Sequence, residues 1–312
     1  MTSDALVAPL SDDCEQLRRD LIERQLPPVW SLDAQTARRL HREGADAVRA
    51  AWQPPLDSLP VVTEDVVAVD GRPAMRIYRN TETVNAAVTI AWFHGGGWVL
   101  GDLETGHAAA STACAQTGWD VVNVDYRCAP VDPFPAAVDD AIAATQWLLD
   151  EGRRVVVAGD SAGGNLAGVV AQRLAGHAGL IGQVLVYPAT DPTLSYPSVE
   201  EFTEGPFLTG RDMKWFYDQY LPARQDRTDD RLDLMTAERD RPTLPAVVLT
   251  VGHDPLRDEG IAYARLLGAR GAEVTWIHAP ELFHGCVTQS GVLPSSAARV
   301  REIWQAARQL FT

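Results

Sequence analysis

The run Val155-Val156-Val157-Ala158-Gly159-Asp160-Ser161-Ala162-Gly163-Gly164-Asn165-Leu166-Ala167-Gly168 decides how this chain is read. Its apolar opening, three β-branched residues and an alanine, suits a buried strand, and the small-residue stretch after Ser161 suits a helix packed close to that strand. A strand that turns sharply into a helix with serine at the bend and glycine on either side is the physical description of a nucleophile elbow. Ser161 would sit in a strained conformation with its hydroxyl exposed, and Gly159 and Gly163 would remove side chains that collide across the turn. The same residues also describe a glycine-rich junction with an incidental serine, so the choice falls to the rest of the chain.

Working outward, the chain alternates. Strands are predicted over 88–94, 120–125, 154–159, 183–187, 246–251 and 273–278, with helices over 107–117, 136–149, 162–174, 259–267 and 295–310 between and after them. Such alternation implies a parallel sheet covered on both faces. Before it, 65–69 and 75–78 read as an antiparallel hairpin whose turn begins at Asp70-Gly71. The expectation is an α/β fold with a mixed sheet of about eight strands. Residues up to about 55 read as two helices. The second begins near Ser31 or Asp33 and carries Leu40, Gly44, Val48 and Trp52 at four-residue spacing, with Arg38, Arg39, Arg42 and Glu43 on the other side. Between Pro188 and Pro245 no strand is expected, only one helical piece over 211–220, which marks an inserted subdomain. The organisation is therefore 1–55 as the first part of a helical cap, 56–190 as core, 191–243 as cap insertion and 244–312 as the rest of the core.

Three glycines follow the first parallel strand in His94-Gly95-Gly96-Gly97-Trp98. They let the backbone approach a ligand and turn NH groups inward, as an oxyanion hole requires. A loop that merely turns the chain is the plain alternative, and a phosphate loop lacks its Gly-Lys-Ser/Thr ending and G-x-G-x-x-G spacing. A serine hydroxyl needs a base to take its proton and an acid to orient that base. Of the histidines after Ser161, His177 lies at the far end of the elbow helix, His253 on the loop where the acid is expected and His278 at a strand end. His284, on the loop between the last strand and the last helix, is the base selected. Asp254, directly after the strand that ends near Val251, is the orienting acid, with Asp258 and Glu259 better suited to capping the next helix.

Composition narrows the partners. The 312 residues carry a formal net charge of -15, which disfavours nucleic acid and anionic membranes as partners. Met1-Thr2-Ser3-Asp4, followed by Asp12, Asp13 and Glu15, has neither the basic nor the apolar region of a secretory signal, and no apolar run approaches the roughly 20 residues of a membrane helix. Cys14, Cys114, Cys128 and Cys286 are scattered without metal or disulfide spacing. A soluble protein of the reducing cytoplasm is expected.

The set His94-Gly95-Gly96-Gly97-Trp98, Asp125-Tyr126-Arg127, Phe134-Pro135-Ala136-Ala137, Gly159 to Asn165, Asp254 to Gly260 and Phe283-His284-Gly285 resembles the hormone-sensitive lipase family of bacterial esterases, in the α/β-hydrolase superfamily. The order Ser161, Asp254, His284 agrees with that superfamily. The resemblance implies hydrolysis of carboxylic esters with short to medium acyl chains, oxyanion donors at Gly95, Gly96 and Ala162, no metal or cofactor, and a two-part cap. It leaves open a homodimer through the last strand and helix. Trp98, Asp160, Phe207, Leu208, Trp215 and Phe216 are the candidates for a substrate pocket. Two departures stand out: Val131 and Asp132 replace a usual glutamate and histidine or tyrosine, and Cys286 stands where the family often has phenylalanine. Amidase, lactonase, acyl transferase and lyase chemistry remain alternatives with the same triad, and a non-catalytic receptor on this fold would need an incomplete one.

Overall fold

The computed structural model describes residues 6–69, 71–83, 88–222, 227–236 and 242–312. The opening Met1 to Asp4 and the first turn residue, Asp70, lie outside them. One eight-stranded sheet runs in the order β1-β2-β4-β3-β5-β6-β7-β8, with β1 Val61–Val66, β2 Ala74–Asn80, β3 Thr89–Phe93, β4 Asp120–Asp125, β5 Val155–Asp160, β6 Leu180–Val186, β7 Ala246–His253 and β8 Val274–Phe283. The first two strands join antiparallel, Val66 opposite Met75 and Met75 opposite Val124, and every later pairing is parallel.

Alternation along the central strands sorts the core into two layers. Ala91, Phe93, Val155 and Val157 face one layer, built from α4 (Ala136–Asp150), α5 (Ala162–Leu174) and α8 (Arg257–Ala269). Ile90, Trp92, Val156 and Ala158 face the other, built from α3 (His107–Thr117) and α9 (Pro294–Phe311). All six residues of β5 are buried, as expected of a strand covered on both faces.

Ahead of the sheet lie α1 (Asp12–Arg24) and α2 (Ala34–Ala50). The Asp13 carboxylate accepts the Ser295 NH at 2.9 Å, fastening α1 to the start of α9. Arg38, assigned above to the solvent face of α2, instead points inward: its Nε donates to the Val99 carbonyl at 2.7 Å and an Nη to that of Ala129 at 2.6 Å. No strand occurs among the described residues between β6 and β7. The predicted helix there is α7 (Gly210–Tyr220), started by a Thr209–Asp212 capping box. A five-residue helix, α6 (Pro197–Glu201), precedes it.

Two further differences have clear causes. β8 does not stop at His278 but runs through Pro280 to Phe283. It is the last strand of the sheet, where proline costs no ladder bond, and on its open side the Ala8 and Ser11 NH groups donate to the carbonyls of Pro280 and Glu281. Asp258 and Glu259 lie in the first turn of α8 but do not cap it, since its N-cap is Leu256 with no side-chain cap bond; instead Asp258 accepts the Ser198 NH, and Glu259 accepts those of Thr190 and Asp191, where the chain leaves the core for the insertion.

Candidate active site

Ser161 sits between the end of β5 and the start of α5 with φ 57° and ψ -118°, a conformation that L-residues rarely adopt. The surroundings hold it there. Its NH donates to the Val186 carbonyl at 2.9 Å, and its carbonyl receives the Asn165 NH at 3.0 Å. A side chain at Gly163 would overlap the carbonyl of Phe93, and one at Gly159 would overlap the Gly163 backbone, which is why both positions are glycine.

The three residues singled out from loop placement meet. The Ser161 hydroxyl donates to His284 Nε2 at 2.9 Å, and His284 Nδ1 donates to Asp254 Oδ2 at 2.9 Å. Asp254 is wholly buried and its Oδ1 is held by the Leu256 NH at 2.8 Å. The His284 NH reaches the His253 carbonyl, and the Tyr187 ring lies 4.5 Å from the imidazole, centroid to centroid. The loops after β7 and β8 thus deliver acid and base to one edge of the sheet, where the elbow waits.

The glycine loop needs a correction. The Gly95 NH is not free for a ligand, because it donates to Asp160 Oδ1 at 2.8 Å. Among the described residues, the NH groups of Gly96, Gly97 and Ala162 have no hydrogen-bond acceptor, so the open donors sit one residue later in the loop than anticipated. Gly97 (φ 60°) and Trp98 (φ 59°) both take left-handed backbone conformations, and Phe216 occupies the space a Gly97 side chain would need. His94 anchors the loop from beneath. Its Nδ1 donates to the Gly95 carbonyl at 2.8 Å, its ring stacks on Tyr126 at 4.3 Å, and burial pulls its pKa down to about 4. That makes His94 a neutral structural imidazole and no rival to His284.

A cavity of about 410 Å³ opens over Ser161 and His284. Asp160 and Leu208 line it, as anticipated. Burial raises the Asp160 pKa to about 6. Of the aromatic candidates only Phe216 lines it, and Trp98, Phe207 and Trp215 do not. Trp98 is fully buried, its ring stacked on Tyr220 at 4.7 Å, because the left-handed turn at its own backbone swings it into the core. Phe207 stacks on Phe283 at 3.9 Å, and Trp215 packs edge-on to Phe216. Met213, one helical turn before Phe216 on α7, joins it on the wall and was not anticipated. The helical period of 211–220 contained that signal, since Met213 and Phe216 are three residues apart. Cys286 is buried with its carbonyl on the Ser296 hydroxyl, so the departure there changes packing beneath the loop rather than the cavity wall. No group of three or more His, Cys, Asp and Glu among the described residues is arranged to hold a metal ion, and no helix among them is long and apolar enough to cross a membrane.

A family model described as alpha/beta hydrolase fold matches residues 90–288. Carboxylic ester hydrolase LipN of Mycobacterium tuberculosis is 40% identical over 72% of this chain, which spans 63% of LipN, slightly less than two thirds of its length. Ethyl acetate hydrolase of Pseudomonas putida is 30% identical over 90% of this chain and 92% of its own. Among solved structures, the hyperthermophilic esterase of Pyrobaculum calidifontis superposes with a TM-score of 0.87 at 31% identity, over 97% of this chain and 99% of the other. The likeness thus extends over nearly the full length of esterases from distant organisms, and the chain belongs to the hormone-sensitive lipase family of α/β-hydrolase esterases.

Proposed function

We propose that the protein hydrolyses carboxylic esters of small molecules through an acyl-enzyme on Ser161. The observation that carries this is the unbroken relay Ser161 hydroxyl to His284 to Asp254, with both links at 2.9 Å. His284 Nε2 takes the Ser161 proton as Oγ attacks the acyl carbon. The ester carbonyl bond opens to a tetrahedral oxyanion, which accepts from the NH groups of Gly96, Gly97 and Ala162. Asp254 keeps the proton on Nδ1 and stabilises the imidazolium. His284 then passes its proton to the leaving alkoxide, the alcohol departs, and a water activated by the same imidazole releases the acid and frees Ser161. Every proton moves between side chain and substrate, so the cycle calls for no cofactor.

Residues 1–55 and 191–243 act together as a cap, since α1 and α2 line one side of the cavity and Leu208, Met213 and Phe216 the other. A cavity of this size suits short to medium acyl chains. All four cysteines are free thiols, which fits a reducing cytoplasm. The open side of β8 near Val274 is where a second copy would join, and light scattering that finds only monomer mass removes that element.

Ser161→Ala tests the central reading. It should abolish turnover of p-nitrophenyl butyrate while leaving the circular dichroism spectrum and Tm intact. Retained turnover sinks the assignment.

A further inference from the structure

On α2, Leu40, Gly44 and Val48 form one row at four-residue spacing, and all three line the cavity over Ser161. The middle member has no side chain. Nothing in the backbone demands this, because Gly44 lies inside the helix with no left-handed φ. A glycine there weakens the helix relative to alanine. At several glycines that face the core the room left by the missing side chain is taken by a neighbour: Phe216 fills it at Gly97, Phe311 at Gly182, Leu234 at Gly168 and Trp52 at Gly291. At Gly44, an exposed position, no heavy atom beyond its own helix backbone and chain neighbours lies within 4 Å of where a side chain would begin. Because Gly44 also lines the cavity, the gap in the apolar row opens onto it and is not filled by packing. Leu17 and Leu21 of α1, half-buried, and Leu26 in the turn after it, exposed, line the same cavity.

We infer that Gly44 is the specificity-determining residue of this site: its missing side chain makes a notch between α1 and α2 that receives the far end of an unbranched apolar chain on the substrate. The inference rests on the esterase reading for the identity of the reaction, and on the cavity alone for the notch. Each methylene moved from water to such a wall is worth about fourfold in affinity, so the notch makes a site that would otherwise be indifferent to chain length favour medium chains over acetate.

Gly44→Leu fills the notch and Gly44→Ala narrows it, and both replace glycine with better helix formers, so their Tm should match or exceed that of the parent. Two series of esters, p-nitrophenyl alkanoates and alkyl acetates, read the two arms of the substrate separately. With Gly44→Leu, the ratio of kcat/KM for the decyl-length member to that for the two-carbon member should fall about tenfold or more in at least one series, and Gly44→Ala should fall between. An unchanged length profile in both series overturns the proposal. Calorimetric titration with decanoate and with n-decanol gives the answer independently of turnover. At least one should bind the parent about tenfold more tightly than Gly44→Leu, and equal affinities for both ligands again overturn it. A parent protein that binds them but hydrolyses no ester would remove the esterase reading and leave the notch standing.

Discussion

The carboxylate of Asp160 accepts the NH of Gly95 at 2.8 Å, so the residue before the nucleophile is bonded to the first glycine of the loop facing it. The bond occupies the first NH of the loop, while those of Gly96 and Gly97, which line the cavity, have no acceptor among the described residues. It also places a buried acid beside the reacting centre, with His284 close enough to stabilise its charged form.

Asp160→Asn keeps an acceptor for the Gly95 NH and removes the charge, whereas Asp160→Ala removes both. The alanine variant should lose about 100-fold in kcat with little change in KM, as expected when an oxyanion donor is misplaced, and the asparagine variant should lose far less. The sign of the pH effect follows from the raised pKa. Between the ordinary value of 3.8 and the folded value of about 6, the folded protein holds a proton that the unfolded chain has released. Charging Asp160 therefore costs the fold stability, a cost on the order of 3 kcal/mol that is absent below the lower value and complete above the upper one. Thermal melts should show Asp160→Asn more stable than the parent near about pH 8, with the gap closing toward about pH 4.

Asp254→Asn should keep the fold and lower kcat by about 10³ to 10⁴, because the amide can donate to His284 Nδ1 and so favours the tautomer with the proton on the wrong nitrogen. Stopped-flow measurement of the p-nitrophenol burst checks this. A slower burst of unchanged amplitude agrees, and a burst at the parental rate does not.

Arg38 bonds α2 to the carbonyls of Val99 and Ala129. Arg38→Met retains most of the side chain's apolar stem but leaves those carbonyls without their charged donor, at a cost of about 2 kcal/mol. A fall of several degrees in Tm is expected, and a melt superimposable on that of the parent would show the bonds to be worthless.

Glu259 is wholly buried, and burial holds its carboxyl pKa well above the ordinary value. A raised carboxyl pKa stabilises the fold while the proton is present, and that contribution is lost as pH rises through the folded value. Glu259→Gln should therefore track the parent at low pH and outlast it in alkaline urea titrations. Glu259→Ala strands the NH groups of Thr190 and Asp191 and should cost about 2 kcal/mol or more at every pH.

The meeting of Ser161, Asp254 and His284 was legible from loop placement, because a parallel sheet must deliver the loops after β5, β7 and β8 to one edge. The layering of the core was legible from strand alternation with helices. What escaped the sequence were choices made between close neighbours. Whether Gly95 or Gly97 offers a free NH depends on which one meets Asp160, a contact across 65 positions of chain. Whether Trp98 joins Phe216 on the cavity wall depends on a left-handed backbone at Trp98, which a tryptophan does not advertise. Pro280 suggested a strand end, and only the place of β8 at the border of the sheet makes it harmless. Arg38 followed the hydrophilic pattern of its helix and yet turned inward, since a guanidinium can reach carbonyls that no sequence pattern displays.

The backbone of Ser161, at φ 57° and ψ -118°, sets thrift of folding against reactivity. Glycine would adopt that shape without penalty, while serine carries a strain of about 1 to 3 kcal/mol. Selection for robustness alone would replace the nucleophile, and a Ser161→Gly chain should melt later while catalysing nothing. The residue proposed as nucleophile is thus also one that the fold would rather do without.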